Sequence, residues 1–113
     1  MKLHLGCGTK FIPGFVHVDG VDAPHIKVVT DLRDLSYFDD GSCELIYASH
    51  VLEHFGRFEV QNVLSEWCRV LKNGGILRLA VPDFEAMAEY YASTRDLDSL
   101  MGLLYGGQDT KYN

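Results

Sequence analysis

The sequence predicts one α/β domain whose sheet is mostly parallel, with about five strands flanked by helices. Three observations predict it. Short apolar or β-branched runs alternate with segments of helical periodicity, the order that builds parallel sheets. Each apolar run ends in glycine or in polar residues, as the carboxyl ends of parallel strands do. The chain has 113 residues, which is the size of a single domain.

Lys2 to Leu5 is a short first strand that runs into Gly6-Cys7-Gly8. Phe15 to Val18 is a second, ending at Asp19-Gly20, and the link between them includes Pro13-Gly14. That link is too short for a crossover helix, so a single helical turn or a compact loop must replace it. Ile26 to Thr30 is a third strand, closed by Asp31-Leu32, and Glu44 to Ala48 is a fourth, after the turn Asp39-Asp40-Gly41-Ser42. The clearest helix covers Phe58 to Lys72. Val60, Val63, Leu64, Trp67 and Leu71 share one face, with Trp67 in the core, and Asn73-Gly74-Gly75 stops the helix. Ile76 to Val81 is the fifth strand. Asp83 caps a helix running to about Thr94, with Phe84, Met87, Ala88 and Tyr91 on one side, and a last short helix spans Leu97 to Tyr105 before Gly106-Gly107.

Composition narrows the function classes. Apolar residues make up 47% and charged residues 23%, which reads as globular rather than disordered. The net charge of −6 repels phosphate backbones, and no basic run is present, so nucleic acid is not the expected partner. No apolar stretch approaches the ~20 residues that span a bilayer, and the first residues carry no secretory h-region; a cytoplasmic protein without membrane association is expected. Cys7, Cys43 and Cys68 are odd in number and form no Cys-x-x-Cys, which argues against a disulfide framework and for a reducing compartment. Cys68 reads as a core residue on the helix.

Ligands of open parallel sheets bind beyond the carboxyl ends of the strands. Gly6 and Gly8, without side chains, leave room for a ligand against the backbone, although a structural tight turn explains a lone Gly-x-Gly as well. The Asp19 carboxylate can accept from two neighbouring ribose hydroxyls. Asp31 can accept from an adenine amino group while Leu32 packs on the ring. The dinucleotide fingerprint is incomplete, because Phe11 stands where its third glycine belongs, and no Gly-Lys-Ser/Thr of a P-loop is present.

These residues together resemble a known family. Leu3-His4-Leu5-Gly6-Cys7-Gly8 is similar to the first motif of the class I, Rossmann-like, S-adenosylmethionine (SAM)-dependent methyltransferases. Tyr47-Ala48-Ser49-His50-Val51-Leu52-Glu53-His54 is similar to their fourth-strand motif, and Glu66 to Leu77 to their helix-turn-fifth-strand signature, followed by Val81-Pro82-Asp83. The resemblance covers Lys2 to about Tyr91. It implies that Gly6, Cys7 and Gly8 line the methionine part of SAM, that Asp19, followed by Gly20, holds the ribose, and that Asp31 and the Leu32 backbone read adenine. It also implies that Ala48, Ser49 and His50 face the methionine end. S-adenosylhomocysteine would be the product, and a small-molecule or sugar-type compound the acceptor.

His50 is the first candidate base where a proton must leave, followed by His54 and Asp83. The family's C-terminal β-hairpin finds no counterpart before Asn113, so the domain reads as C-terminally incomplete over residues 1–113. That reading predicts a homodimer through an exposed sheet edge. It also keeps open a module that binds SAM without catalysis.

Two other chemistries are weaker. A nicotinamide oxidoreductase is disfavoured by Phe11 and by the short spacing from Gly6 to Asp19. His50-Val51-Leu52-Glu53-His54 matches His-x-x-Glu-His, which on a helix can hold zinc. Here the segment directly follows a strand and offers no third ligand, so no metal is expected. The Asp/Asn-Pro-Pro-Tyr motif of base-amine methyltransferases is absent. Tyr90, Tyr91 and Tyr105 either pack helices or line an acceptor pocket.

Overall fold

A computed structural model describes residues 1–105. Five parallel strands form one sheet in the order β3-β2-β1-β4-β5: β1 (Lys2–Leu5), β2 (Val16–Asp19), β3 (Val28–Val29), β4 (Cys43–Ser49) and β5 (Leu71–Ala80). Helix α1 (Val60–Val70) precedes β5. Helix α2 (Phe84–Thr94) and the short α3 (Met101–Tyr105) follow it. Among the described residues no helix is long and apolar enough to cross a membrane.

Alternation along the central strands sorts side chains to the two faces of the sheet. Leu3, Leu5, Val18, Ile46 and Ala48 are buried and join Val63, Trp67 and Val70 of α1 in the main core. Trp67 is fully buried, as its place on the helical stripe requires. Cys68 is exposed, contrary to the expectation, because it continues the half-buried row of Val60 and Leu64 out to solvent. Of the expected apolar side of α2 only Met87 is buried; Phe84 is 74% exposed.

The opposite face is unusual for a parallel sheet, where both faces normally carry aliphatic side chains. Tyr47, His4 and His17 sit side by side on β4, β1 and β2 in direct register. The His4 ring stacks on Tyr47 at 5.0 Å and lies 5.4 Å from His17, and Phe11 stacks on His17 at 5.0 Å. The β1–β2 link is the compact loop that its length demanded. His17 Nε2 accepts from the Ile12 N–H at 3.0 Å, so the ring row anchors the loop where a crossover helix would otherwise pack.

The glycine turn after α1 corrects one expectation. The helix ends at Val70 and Leu71 is already extended and opposite Cys43, so Asn73-Gly74-Gly75 does not cap it. The pairing is irregular there and resumes at Leu45 opposite Ile76. A Cβ on Gly75 would stand 2.9 Å from the Lys72 carbonyl oxygen, which explains the glycine. β5 is one edge of the sheet among the described residues, with Ile76 and Leu79 exposed.

The β3–β4 connection is tied to α1 through Arg69 and Glu66. Arg69 Nε donates to Glu66 Oε1 at 2.8 Å, and its two terminal nitrogens donate to the carbonyls of Phe38 and Leu35 at 3.1 and 3.0 Å. Glu66 Oε2 accepts from the Leu35 N–H at 2.9 Å, and Arg69 also meets Asp40 at 2.6 Å. Arg69 holds the Glu66 carboxyl below its ordinary range. A lysine cannot span these acceptors. Arg69→Lys is expected to lower stability by about 1–3 kcal/mol, read from the urea unfolding midpoint.

Acid should loosen the fold through the ring row. Burial, and then the neighbouring His17, lowers the pKa of His4; burial, and then His25, lowers that of His17. Both are nearly inaccessible to solvent, and Lys2 and Lys10 add positive charge nearby while Asp19 opposes it. A depressed histidine pKa means that the unfolded chain binds protons first. The stabilising contribution is therefore complete above the ordinary value of about 6.5 and is lost as pH falls from there through the folded values. The urea midpoint should drop over that window, ahead of carboxylate protonation. His4→Phe, which keeps a stacked ring without a titrating nitrogen, should shallow the drop.

Candidate functional site

The carboxyl ends of β1, β2, β3 and β4 lie along one rim. Gly6 has φ +64° and Gly8 φ +57°, a conformation that favours glycine. A Cβ on Gly6 would meet Val51 Cγ2 at 2.5 Å and Leu32 Cδ1 at 3.3 Å. The same position around Gly8 is open, with no atom within 4 Å. Gly6 is therefore demanded by packing where three strand ends converge, whereas Gly8 borders free space.

Gly8 is held at both of its polar groups. Its N–H donates to Asp19 Oδ2 at 2.8 Å, and its carbonyl accepts from His25 Nε2 at 2.8 Å. The carbonyl can only accept, so His25 carries its proton on Nε2. Asp19 Oδ1 takes the Val21 N–H at 3.0 Å, and the Asp19 carbonyl takes the Thr30 N–H. Each carboxylate oxygen retains a lone pair for a further donor. Gly20 follows in the exposed turn. Cys7 does not present its thiol at the rim: it is 5% exposed, with Sγ 3.9 Å from His25 Nε2, and burial pushes its pKa up.

Asp31 lies at the end of β3 with its carboxylate already engaged. Arg33 Nε and Nη2 donate to it at 3.0 and 2.6 Å, and the Arg33 N–H adds a third bond at 2.9 Å. These bonds hold the Asp31 carboxyl below its ordinary range. Arg33 also reaches Glu59 at 3.2 Å. The Leu32 carbonyl accepts from the Trp67 indole N–H at 2.8 Å, which fixes this turn to the core of α1.

At the end of β4, Ala48 is buried between its strand partners Leu5 and Leu79 and presents no surface to a ligand, and Ser49 is half-buried. His50 adopts φ +57°, the left-handed region that few non-glycine residues occupy, and its N–H donates to the Ala80 carbonyl at 2.7 Å. Its ring is exposed, with Nδ1 3.4 Å from Glu53 Oε2. The chain then makes a 3-10 turn over Leu52–His54. His50 and His54 are thus not stacked on one α-helical face as a zinc-binding His-x-x-Glu-His would need. His54 is exposed, and Asp83 serves as the predicted cap, accepting from the Ala86 N–H at 3.1 Å.

Next to this rim, beyond the ends of β4 and β5, lies a groove of about 420 Å³. Leu52, Glu53 and Val60 form one wall, and Val81, Pro82, Phe84, Met87, Leu103 and Leu104 the other. Gly6, Asp19, Asp31, His54 and Asp83 do not line it. Tyr90 and Tyr91 are occupied at the end of α2 instead: Tyr90 Oη donates to Asp96, and Arg95 lies over the Tyr91 ring. The Tyr105 side chain and the Gly106-Gly107 stop lie outside the described residues.

Sequence reasoning missed His25, Arg33 and the inward carboxylate of Glu53. The alternation of histidine with aliphatic residues in Lys2–Leu5 and Val16–Asp19 was a usable signal for the ring row. No local pattern marked His25, because its partner Gly8 is brought near only by folding.

A parallel sheet with glycines after its first strand and carboxylates after the next two defines an α/β domain of the class whose ligands bind beyond the carboxyl ends of the strands. A family model described as a methyltransferase domain matches residues 3–79, more than half of the chain. The chain belongs to that methyltransferase domain family, and membership implies SAM as the ligand in general. No curated protein matches it.

Gly6→Ala is expected to cost about 1–3 kcal/mol for overpacking against Val51, on top of about 1–2 kcal/mol for the left-handed backbone. Gly8→Ala should cost only the latter. Urea unfolding of the two variants side by side checks the order; equal losses would reject the packing account.

Proposed function

We propose that this protein transfers a methyl group from SAM to a small-molecule acceptor, with the cofactor lying along the rim of Gly6, Gly8, Asp19, Asp31 and Ser49. The observation that carries this reading is the double clamp on Gly8, which holds an open backbone position beside a carboxylate that keeps free lone pairs. The residues fit the group: bare backbone suits a close-lying methionine chain, and Asp19 can take ribose hydroxyls while still bonded to Gly8 and Val21.

SAM supplies a methyl on a positively charged sulfur, so the protein's part is position and electrostatics. Asp19 and Asp31 place negative charge along the cofactor's path. The Leu32 side chain, next to Gly6 and steadied through its carbonyl by Trp67, offers an apolar face for the adenine ring. Asp31 would accept from the adenine amino group only with a lone pair that Arg33 leaves free. His50 is the base in this reading where the acceptor must lose a proton. Glu53 on the Nδ1 side favours the tautomer protonated there, which leaves Nε2 to accept.

Calorimetric titration of the purified protein with SAM, S-adenosylhomocysteine and NAD tests the reading. Both sulfur ligands should bind and NAD should not; NAD binding alone would reject it. Asp19→Ala should weaken S-adenosylhomocysteine by at least about tenfold, since a charge-assisted bond and the Gly8 clamp are lost together. Unchanged affinity in that variant would reject the ribose role.

A further inference from the structure

Three imidazoles in a row end on the backbone that borders the rim. His4 lies 5.4 Å from His17, and His17 lies 5.5 Å from His25, whose Nε2 donates to the Gly8 carbonyl at 2.8 Å. The middle ring, His17, is 2% exposed. It meets the β1–β2 loop twice: Phe11 stacks on it at 5.0 Å, and Nε2 accepts the Ile12 N–H at 3.0 Å. That bond uses the Nε2 lone pair, so the ring is neutral with its proton on Nδ1. An imidazolium has donors only and must let Ile12 go. The surroundings oppose a charge on this ring. His4 of β1 and His25 of the β2–β3 link lie beside it, and Tyr47 of β4 stacks on His4. Lys10 of the loop and Lys2 of β1 are nearby cations, and the exposed Lys27 donates its N–H to the His17 carbonyl at 2.9 Å. Asp19 opposes them, but its oxygens already take the N–H groups of Gly8 and Val21.

We propose that His17 is a positioning residue for the cofactor-binding backbone, and that cofactor affinity is linked to a proton on its ring. Neutral His17 holds Ile12 and keeps the loop in the shape that presents Gly8 at the rim. Protonated His17 releases Ile12, sets a positive charge beside His25, and loosens the clamp on the Gly8 carbonyl. The ligand-bound state therefore favours the neutral ring, and binding to the protonated protein expels the proton. Burial, and then His25, puts the His17 value below the ordinary one of about 6.5. Affinity is complete above that lowered value and falls as pH drops through it. The inference rests on the methyltransferase reading for the identity of the ligand, while the coupling of His17 to Gly8 stands on the hydrogen bonds alone.

Two measurements on the full chain test it. NMR follows the His17 ring and the Gly8, Ile12 and Ile46 amides from about pH 7.5 to about pH 5, above the ordinary carboxylate range. Gly8 and Ile12 should shift with the midpoint of the His17 ring, while Ile46, in the middle of the sheet, stays in place. Gly8 unmoved as His17 titrates, or Ile46 moving with it as in general unfolding, would overturn the proposal; this comparison needs no variant. Calorimetry with S-adenosylhomocysteine over the same range should show affinity falling by up to about tenfold per pH unit below that midpoint, the limit for one linked proton. His17→Gln supplies an oxygen that accepts the Ile12 N–H without titrating, and should flatten the pH dependence. A wild-type affinity indifferent to pH, or an equal fall in His17→Gln, would overturn the linkage and leave the methyltransferase reading standing. No binding of S-adenosylhomocysteine at any pH, with Gly8 still following His17, rejects the methyltransferase reading and keeps the coupling.

Discussion

The indole N–H of Trp67 reaches from the middle of α1 to the carbonyl of Leu32, and the rim is arranged around that bond. Trp67 is fully buried, so its position is set by the packing of α1 on the sheet rather than by anything at the surface. Through Leu32 the bond fixes the turn after β3. The Leu32 side chain and Val51, just beyond β4, close on Gly6 at the end of β1. Three strand ends meet at a point where there is no room for a Cβ. A shift of α1 would move Leu32, and with it the adenine side of the proposed site, before it touched any ligand-facing group.

The short β1–β2 loop shows how the glycine segment keeps its shape without a crossover helix. At the end of the row of Tyr47, His4 and His17, His17 stacks on Phe11 of the loop and takes a backbone N–H from Ile12. His25 and Asp19 then hold Gly8 by its carbonyl and its N–H. The backbone that a ligand would approach is thus set in advance, which lowers the ordering cost of binding. The same arrangement makes that segment sensitive to acid, because protonating buried rings adds like charges to a row already short of carboxylates.

Rim and groove divide the chemistry. The rim is polar, its carboxylates are engaged by backbone N–H groups or by Arg33, and it lies within the part of the chain shared with the methyltransferase domain family. The groove is apolar and its outer wall falls outside that shared part. His50 stands between them in a left-handed conformation and is held by Ala80 across the β4–β5 pair.

The parallel α/β architecture was legible from the sequence because period-2 runs, the helical stripe of Val60 to Leu71 and the glycine and aspartate punctuation are local. So were the short first loop, the core placement of Trp67 and the cap at Asp83. Helix and strand ends were less so: Asn73-Gly74-Gly75 carries a helix-stop pattern, yet Leu71 had already been drawn into pairing with Cys43. What only the tertiary structure decided is who completes whom. His25 bonds Gly8, Arg33 occupies Asp31, Trp67 holds Leu32, and Glu53 reaches back to His50. The first and third pair residues from different elements. Local periodicity says which way a side chain points, but partners across space follow only once the layers have packed.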